Sequence, residues 1–404
     1  MEKLQGIKPN IRFPEFTENW EHKKLSDLLA EAKKRNEDLK YDKDKVLSVS
    51  GELGIVNQIE HLGRSYAGVS VHQYHVVEVG DIVYTKSPLK ANPYGIIKLN
   101  KHKAGIVSTL YAVYKVKEQN ACGEWIEYYF SLDANTNRYL RPLVKKGAKN
   151  DMKISNAYVL HDRIFAPKPA EQKRIASFFT VLDKKIAQLK TKKQLLEQYK
   201  KGVMQQLFSQ ELRFKDENGK EFTEWEEKAL YEIVEFRNGK AHEQDISENG
   251  EFIVVNSKFI SMEGEVKKYS DTQICPLMKD EIVMVMSDVP KGKALAKCFL
   301  IDEDNKYSLN QRICSLKAYG IEPGFLLYIL NRNKYYLLFD SGVGQTNLTK
   351  DEVLNCPLYF PSDRKEQIKI LNFIKQIDKK IENTKIQIQQ TQAYKKGLLQ
   401  NMFI

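Results

Sequence analysis

An internal repeat constrains the fold of this 404-residue chain more than any other feature of its sequence. The segment from Glu171 to Phe208 aligns without a gap with Glu366 to Phe403, at an offset of 195 residues, and 16 of the 38 aligned positions are identical. Upstream, Phe16-Thr17-Glu18-Asn19-Trp20 resembles Phe222-Thr223-Glu224-Trp225. Because self-similarity at a fixed spacing is typical of duplicated architectures, we expect two related units, 11–208 and 212–404.

The repeated segments, which we delimit as 166–209 and 361–404, have the spacing of long helices. Apolar residues recur at seven-residue intervals or fall on the same face, and they define a helix seam: Ile175, Leu182, Leu189, Leu196, Val203, Ile370, Ile377, Ile381, Ile388 and Leu398. A heptad seam requires a partner to cover it. A helix of about 38 residues spans ~57 Å, more than one small core can cover, so we expect the two helices to pack antiparallel. One core helix in each half is the alternative.

The remaining blocks, 1–165 and 210–360 with their lead-in segments, predict an α+β fold. Strand-like runs are followed by a helix-like run in each block. The predicted strands are Val46–Val49, Val76–Thr85, Ile96–Leu99, Ile106–Val116, Phe252–Val255, Glu281–Met286, Ala294–Leu300 and Tyr307–Leu316, and the predicted helices are Trp125–Leu132 and Phe325–Phe339. The fold class we expect is therefore two mixed α/β domains, separated by two long antiparallel coiled-coil helices and related by a pseudo-two-fold repeat.

Charge is unevenly distributed along the chain. The net charge is +11, and the two helical segments 166–208 and 361–404 contribute +7 and +5, while the block 226–360 carries −5. Basic segments of this kind suit contact with a polyanion such as DNA, although the same charge also serves solubility.

Several classes of chemistry are excluded by their missing motifs. The sequence has no P-loop and no Gly-x-Gly-x-x-Gly after a predicted strand. Asn92-Pro93-Tyr94 resembles a truncated amino-methyltransferase motif, but it lacks the second proline and a cofactor-binding glycine loop. His72 and His75 have no cysteine or carboxylate pattern to complete a metal site, and we interpret them as polar residues that flank a strand. We therefore predict no catalytic residues and no metal site.

Taken together, the repeated motifs resemble the specificity subunit of Type I restriction-modification systems. They are Pro167-x-x-x-Glu171-Gln172-x-x-Ile175 with its counterpart from Pro361 to Ile370, the segment Gly342-x-Gly344-Gln345-Thr346-Asn347-Leu348, and the lead-in Arg12-Phe13-Pro14-Glu15-Phe16 with its copy near Trp225. The resemblance implies that each block is a target recognition domain, which reads one half of a bipartite DNA sequence. It also implies that the helices set the gap between the half-sites.

The same resemblance implies that chemistry belongs to partner subunits. The expected partners are double-stranded DNA, methyltransferase (M) subunits that use S-adenosylmethionine to methylate adenine, and restriction (R) subunits that translocate DNA with ATP and Mg²⁺. No cofactor is expected on this chain. The five cysteines form no Cys-x-x-Cys pair, and neither a signal peptide nor a membrane span is evident, so we expect a cytoplasmic protein. A non-catalytic coiled-coil adaptor for peptides or RNA and a standalone DNA-modifying enzyme are the rival functions.

Candidate DNA contacts follow from residue chemistry. Arginine and lysine read guanine, while asparagine and glutamine read adenine, when a loop can enter a groove. Arginine is scarce, with Arg237, Arg312 and Arg332 in the block 226–360, and the loops or strand-like runs that supply readers give this candidate set: Lys86, Ser87, Lys90, Asn92, Tyr94, Lys145, Lys146, Arg237, Asn238, Lys240, Ser287, Lys291, Lys293, Asn310, Gln311, Arg312, Gln345 and Asn347. We interpret 86–94, 237–240 and 287–293 as loops, and we expect Lys145 and Lys146 to contact phosphates.

Overall fold

The computed structural model describes residues 8–68, 70–146, 152–290 and 292–404. Contacts between residues divide the chain into two compact units. Unit 1 contains residues 1–192 and 384–404, and unit 2 contains residues 193–383. The predicted boundaries at 165, 209 and 360 are a different division, drawn from sequence repeats, and they stay a prediction.

Unit 1 begins with a mixed α+β block and ends in a long helix. Its strands are β1 Glu21–Lys24, β2 Leu29–Glu31, β3 Leu47–Ser50, β4 Gly54–Asn57, β5 His75–Val77, β6 Ile82–Thr85, β7 Ile96–Leu99, β8 Gly105–Val107, β9 Tyr111–Val116, β10 Lys145–Lys146, β11 Met152–Lys153 and β12 Arg163–Ala166. Its helices are α1 Leu25–Leu28, α2 Gln58–Leu62, α3 Gly123–Ser131, α4 Asp133–Leu140 and the first part of α5 Pro169–Phe208.

Unit 2 repeats this order. Its strands are β13 Trp225–Ala229, β14 Val234–Asn238, β15 Phe252–Val255, β16 Tyr269–Ser270, β17 Pro276–Leu277, β18 Ile282–Val285, β19 Ser287–Asp288, β20 Cys298–Leu300, β21 Tyr307–Leu309, β22 Ile313–Ala318, β23 Thr346–Asn347 and β24 Pro357–Pro361. Its helices are α6 Ser257–Ser261, α7 Pro323–Leu330, α8 Lys334–Leu337, α9 Lys350–Leu354 and the first part of α10 Arg364–Met402.

The two central sheets have the same topology, although their sequences share little. Unit 1 has the order β2-β9-β6-β7 and unit 2 the order β14-β22-β18-β20, with every pair antiparallel. A second layer is equivalent as well, because β15 runs parallel to β21 in unit 2 and Val46 forms a parallel bridge with Ile106 in unit 1. The predicted duplication therefore extends through the divergent blocks.

Three predicted strands are wrong in their length, because each is two strands joined by a turn. The run 76–85 bends at Gly80, which has φ +92°, and 106–116 turns at Ser108, whose carbonyl accepts from the Tyr111 amide. The run 307–316 turns at Asn310–Arg312. In each case the two strands join different sheets. Both halves of each run are apolar and buried, and this pattern does not show where the chain crosses from one layer to another. The predicted helix 325–339 is similarly two helices, α7 and α8.

The repeated Glu-Gln dipeptide at the start of each long helix anchors the same three segments in each unit. Arg12 donates to both oxygens of the buried Glu171 carboxylate, at 2.7 and 2.6 Å, and Arg213 does the same to Glu366, at 3.3 and 3.0 Å. The next side chain, Gln172, donates to the Pro167 carbonyl and accepts from the backbone amide just before α3. Its repeat partner makes the equivalent bonds to Pro361 and Glu322.

The long helices run antiparallel within each unit. In unit 1, Asp183 of α5 accepts from Lys395 of α10 at 2.5 Å and from the Tyr128 hydroxyl at 2.7 Å. In unit 2, Asp378 of α10 accepts from Lys200 of α5 at 2.5 Å and from Tyr328 at 2.6 Å. The repeated aspartate of one helix therefore pairs with the repeated lysine of the other.

Aromatic side chains near the C-terminal ends of the helices complete each core. Phe403 lies between Trp20, Trp125 and Phe179, with ring centroids 5.8–6.4 Å apart, and its repeat partner Phe208 contacts Phe325 at 6.0 Å. Each of the ten predicted seam residues is buried or partly buried. By contrast, Val181 and Leu195, which lie off the seam, are 61% and 58% exposed.

Candidate nucleic-acid interface

One end of the central sheet in unit 2 brings together candidate residues that are far apart in the sequence. The register pairs Asn238 with Cys314 and Val285 with Ile313, so the ends of β14 and β18 meet the start of β22. The segments that leave the sheet here are 239–243, 286–295 and 310–312. Because antiparallel strands alternate in direction, no sequence pattern alone shows that these segments share one edge.

Backbone hydrogen bonds fix these segments against one another. The Gly239 amide donates to the Ile313 carbonyl at 3.0 Å, the Lys240 amide to Leu309 at 3.1 Å and the Met286 amide to Arg312 at 3.0 Å. Position 239 requires glycine, because a Cβ atom there would lie 2.0 Å from the Asn310 carbonyl oxygen.

A polar cluster extends this edge. Strands β19 and β23 pair Ser287 with Asn347, which are 60 residues apart in the chain. The Ser287 hydroxyl donates to the Asn347 side-chain oxygen at 2.6 Å, and the Gln345 amide donates to the Ser287 hydroxyl at 2.5 Å. Amide and hydroxyl groups of this kind can donate to and accept from base edges or phosphates.

Sequence reasoning missed Asp288, which shapes the neighbouring loop. Its carboxylate accepts from the backbone amides of Val289, Ala294 and Leu295, at 2.8, 2.6 and 3.1 Å. The loop therefore returns on itself and leaves Lys293 exposed. Lys291 lies outside the described residues.

Two predictions about local structure at this edge are wrong. Arg237 and Asn238 end strand β14 rather than lying in a loop, because their ladder with β22 continues to Asn238. Asn310, Gln311 and Arg312 form a turn rather than part of a strand.

The side chain of Arg237 is already occupied by groups of its own unit. Its guanidinium donates to the buried Glu281 carboxylate at 2.9 Å and to the Pro276 carbonyl at 2.7 Å. Glu281 also accepts from the Ser315 hydroxyl at 2.7 Å. This network links β14, β18 and β22, so Arg237 has a structural partner that would have to be released for base contact.

In unit 1 the equivalent sheet end carries the loop 86–95. Thr85 pairs with both Ile96 and Tyr111, so the loop leaves the sheet at the end of β6. Gly95 has φ +91°, and a Cβ atom there would lie 2.0 Å from the Thr85 carbonyl oxygen, which explains why the loop closes on glycine.

The candidates in this loop differ in their exposure. Ser87 and Lys90 are exposed, as is Lys145 in β10, whereas the side chain of Lys146 lies outside the described residues. Asn92 is only 8% exposed and donates to Asp133 at 2.9 Å. Tyr94 is partly buried, and its carbonyl accepts from the Tyr84 hydroxyl at 2.8 Å.

Lys86 belongs to a basic cluster that the sequence did not indicate. Its ammonium donates to the Asn156 side chain at 2.7 Å. Burial, together with the charges of Arg35 and Lys86, lowers the pKa of the nearby His75 to about 4. Arg35 lies 2.9 Å from the His75 ring and is 40 residues away in sequence, so no local motif could have indicated it.

Two further surveys concern the described residues alone. Within them no group of three or more histidine, cysteine, aspartate or glutamate side chains could hold a metal ion. None of their helices combines the length and apolarity needed to cross a membrane.

The fold defines a class of protein with two duplicated units, each of which holds a pair of antiparallel helices and a central sheet that ends in polar loops. Residues 223–391 match the model of the family described as "Type I restriction modification DNA specificity domain". This match confirms, over residues 223–391, the predicted resemblance to specificity subunits of Type I restriction-modification systems. Comparison with curated proteins gives no match.

Solved structures share the fold over nearly the whole chain. The crystal structure of a Type I restriction-modification S subunit from M. genitalium aligns with a TM-score of 0.58 at 14% identity, covering 98% of this chain and 99% of that one. A second solved structure, from work described as the structural basis underlying complex assembly and conformational transition of the type I R-M system, aligns with a TM-score of 0.53 at 15% identity. This alignment covers 95% of this chain and 96% of that one. These alignments confirm the predicted fold class.

Proposed function

We propose that this chain is the sequence-specific DNA-recognition subunit of a Type I restriction-modification complex. Unit 1 and unit 2 each read one half of a bipartite target, and the two long helices set the gap between the half-sites. The observation that carries this proposal is a duplicated frame that holds two different polar loop edges. The family match of residues 223–391 supports the role of unit 2 directly.

A protein that reads two different half-sites needs the same framework contacts in both of its units and different side chains at the two sheet edges. The Arg–Glu pairs, the glutamine clamps and the Asp–Lys–Tyr contacts are the same in both units. The sheet edges differ, since unit 1 presents lysines and a serine, while unit 2 presents amides and an arginine in addition to lysines and a serine. Two different half-sites need two different sets of donors and acceptors, held in one common orientation.

The charge distribution is consistent with helices that attract DNA and a block 226–360 that contacts it only locally. The helical segments are basic, and the block 226–360 is acidic overall, with 16 basic and 21 acidic residues. Non-specific attraction to phosphates therefore cannot come from unit 2 as a whole, and its DNA contact must be the local edge described above. The affinity of the chain for DNA should fall steeply as salt rises, because phosphate contacts release counterions.

Two equivalent clefts support the proposed partners. In unit 2 a cleft of about 610 Å³ lies between α5 and α7, and in unit 1 a cleft of about 770 Å³ lies between α10 and the turn that joins α3 to α4. The helix positions 197, 200, 201, 204, 205 and 208 line the first, and the positions 195 residues later line the second. A partner segment that fits one cleft has a matching site in the other, so we propose that two methyltransferase subunits bind each chain.

Catalysis then belongs to the partners. The methyltransferase subunits bind S-adenosylmethionine, the restriction subunits use ATP and Mg²⁺, and this chain supplies no catalytic group and binds none of these cofactors. The complex acts on double-stranded DNA in the cytoplasm. The purified chain, incubated alone with DNA, ATP, Mg²⁺ and S-adenosylmethionine, should neither methylate nor cleave the DNA.

The deciding experiment is methylome sequencing of cells that express this chain with its methyltransferase partner. A bipartite adenine-methylated sequence is the expected result. Replacement of 21–165 by the equivalent block of another specificity subunit should change one half of that sequence and leave the other half intact. Methylation without a bipartite target, or a swap that alters both halves, would contradict the proposal, and specific RNA or peptide binding in place of DNA binding would support the adaptor alternative.

A further inference from the structure

We infer that Arg312 reads a guanine in the half-site recognised by unit 2, and that Arg237 and Arg332 do not. This inference rests on the proposed function and assigns a specificity-determining residue within it. Arginine to the O6 and N7 atoms of guanine is the commonest specific contact in the major groove. The block 226–360 has only these three arginines. The other two arginines of unit 2, Arg213 and Arg364, form ion pairs with Glu366 and Glu322, so the assignment is a choice among three side chains.

Two of the three arginines are occupied within their own unit. Arg237 donates to Glu281 and Pro276, as described above. The guanidinium of Arg332 donates to the Leu295 carbonyl at 3.1 Å. Among the described residues, Arg312 makes no side-chain hydrogen bond or ion pair, and its side chain is exposed.

The backbone of Arg312 holds it in a conformation that a side chain ordinarily disfavours. Its φ is +66°, in the left-handed region where glycine is the usual residue. A three-residue turn with an arginine in this position gives up stability that glycine would restore. The structure around the turn over-determines it, because the Met286 amide donates to the Arg312 carbonyl and Gly239 packs against Asn310. Retained strain of this kind is typical of functional positions. Arg332 has a similar φ of +59°, so the backbone supports a role for Arg312, and the unpaired guanidinium is what distinguishes it from Arg332.

The residues next to Arg312 do not pair with its guanidinium, and they add polar groups that can contact a base pair. The exposed Gln311 is hydrogen-bonded to Glu243, which therefore has a partner other than Arg312. The side-chain oxygen of Asn310 is buried and accepts no hydrogen bond from the part of the chain that the structure describes. Through Met286, the turn adjoins the Ser287, Gln345 and Asn347 cluster. A free guanidinium thus lies on the same edge as amides and a hydroxyl.

The test uses the full-length chain with its methyltransferase partner and duplexes that carry each of the four base pairs at every position of the target. The Arg312→Gln variant should lose discrimination at one G·C pair of the half-site read by unit 2, by roughly 10- to 100-fold. Recognition of the other half-site should not change. Arg312→Lys should retain part of the affinity but less of the discrimination, because a lysine cannot make the bidentate contact.

A matched control removes one positive charge from β22, the strand that follows the Arg312 turn. Lys317 is exposed on β22, at the end of the strand away from the turn, and Lys317→Gln should leave the preference at every base pair unchanged. This pair of variants separates base reading from a general loss of positive charge.

A second control separates base reading from backbone strain. Asp280 is an exposed charged residue with φ +68°, at the opposite end of the same sheet. Both Arg312→Gly and Asp280→Gly should keep or raise the melting temperature, since glycine relieves a left-handed conformation. Only Arg312→Gly should lose discrimination, so the loss cannot be attributed to unfolding.

Three results would overturn the inference. They are a unit 2 half-site without a G·C pair, unchanged discrimination in both Arg312→Gln and Arg312→Gly, and a loss of equal size in Lys317→Gln. In each of these the wild-type complex still reads a bipartite sequence, so the proposed function stands. If the wild-type complex shows no sequence preference at all, the proposed function and this inference fail together.

Discussion

Removal of the buried arginine that holds the lead-in segment of unit 1 should be among the most damaging single substitutions in the chain. Arg12 is 12% exposed and makes two short hydrogen bonds to Glu171, whose side chain is 2% exposed. The Arg12→Met variant leaves that carboxylate buried, with the Trp20 indole as its remaining donor at 3.3 Å. A buried charge that loses its partner typically costs about 3–5 kcal/mol.

This cost is measurable in a thermal or urea unfolding experiment. For a unit of about 200 residues, 1 kcal/mol corresponds to about 2–4 °C, so the transition of unit 1 should fall by roughly 6–20 °C. Trp20 and Trp125 lie in unit 1, and Trp225 lies in unit 2. A Trp225→Phe background therefore makes tryptophan fluorescence report on unit 1 alone.

Two controls make the physical reasoning refutable. Arg174→Met, also in unit 1, breaks an ion pair with Glu15 whose side chains are 53% and 50% exposed, and this should cost at most about 1 kcal/mol. The double variant Arg12→Met with Glu171→Leu should recover much of the loss, because no unpaired charge remains. If Arg12→Met costs no more than Arg174→Met, the buried pair does not stabilise unit 1.

Three further predictions follow from particular residues. The His75 pKa is lowered from 6.5 to about 4, so the folded state holds the neutral imidazole while the unfolded state is protonated below pH 6.5. The free energy of unfolding should therefore be highest above pH 6.5 and should fall by up to ~3 kcal/mol as the pH falls from 6.5 to 4. The melting temperature should follow this slope, and His75→Asn should flatten it. Leu196→Lys on the helix seam should cost ~2 kcal/mol or more, whereas Leu195→Lys, at a 58% exposed neighbour, should be nearly neutral, and equal melting temperatures would contradict the seam. Seven residues inserted near both Lys192 and Gln387 lengthen each helix by ~10.5 Å, so methylome sequencing should find the same half-sites with a gap longer by about 3 base pairs. An unaltered gap would refute the idea that helix length sets the gap.

The strand errors and the site candidates show different limits of sequence reasoning. The run 307–316 was predicted as one strand because both of its halves are apolar, and the turn at Arg312 has no glycine or proline to mark it. A left-handed non-glycine residue is a consequence of surrounding tertiary contacts rather than of local preference. Arg312, the residue that best fits base reading, therefore lies in a turn that the sequence pattern did not predict.

Candidate residues could be named by chemistry but not sorted by role. The sequence alone does not distinguish Arg237 from Arg312. Arg237 pairs with Glu281, 44 residues away, whereas the exposed Arg312 side chain pairs with none of the described residues. Asn92 has the side chain of an adenine reader, yet it is buried against Asp133. Partner choice of this kind depends on contacts between distant strands, which no spacing in the sequence records.

By itself the sequence determined a duplicated architecture: two long helices and their antiparallel pairing follow from a 195-residue repeat and a heptad seam, because both are one-dimensional patterns with a direct three-dimensional consequence. Only the tertiary structure decided which loops share an edge. Ser287 and Asn347, or Gly239 and Asn310, meet because antiparallel strands bring distant ends together. The physical reason is that helix periodicity is local, while strand order and side-chain partnership are set by packing across the whole unit.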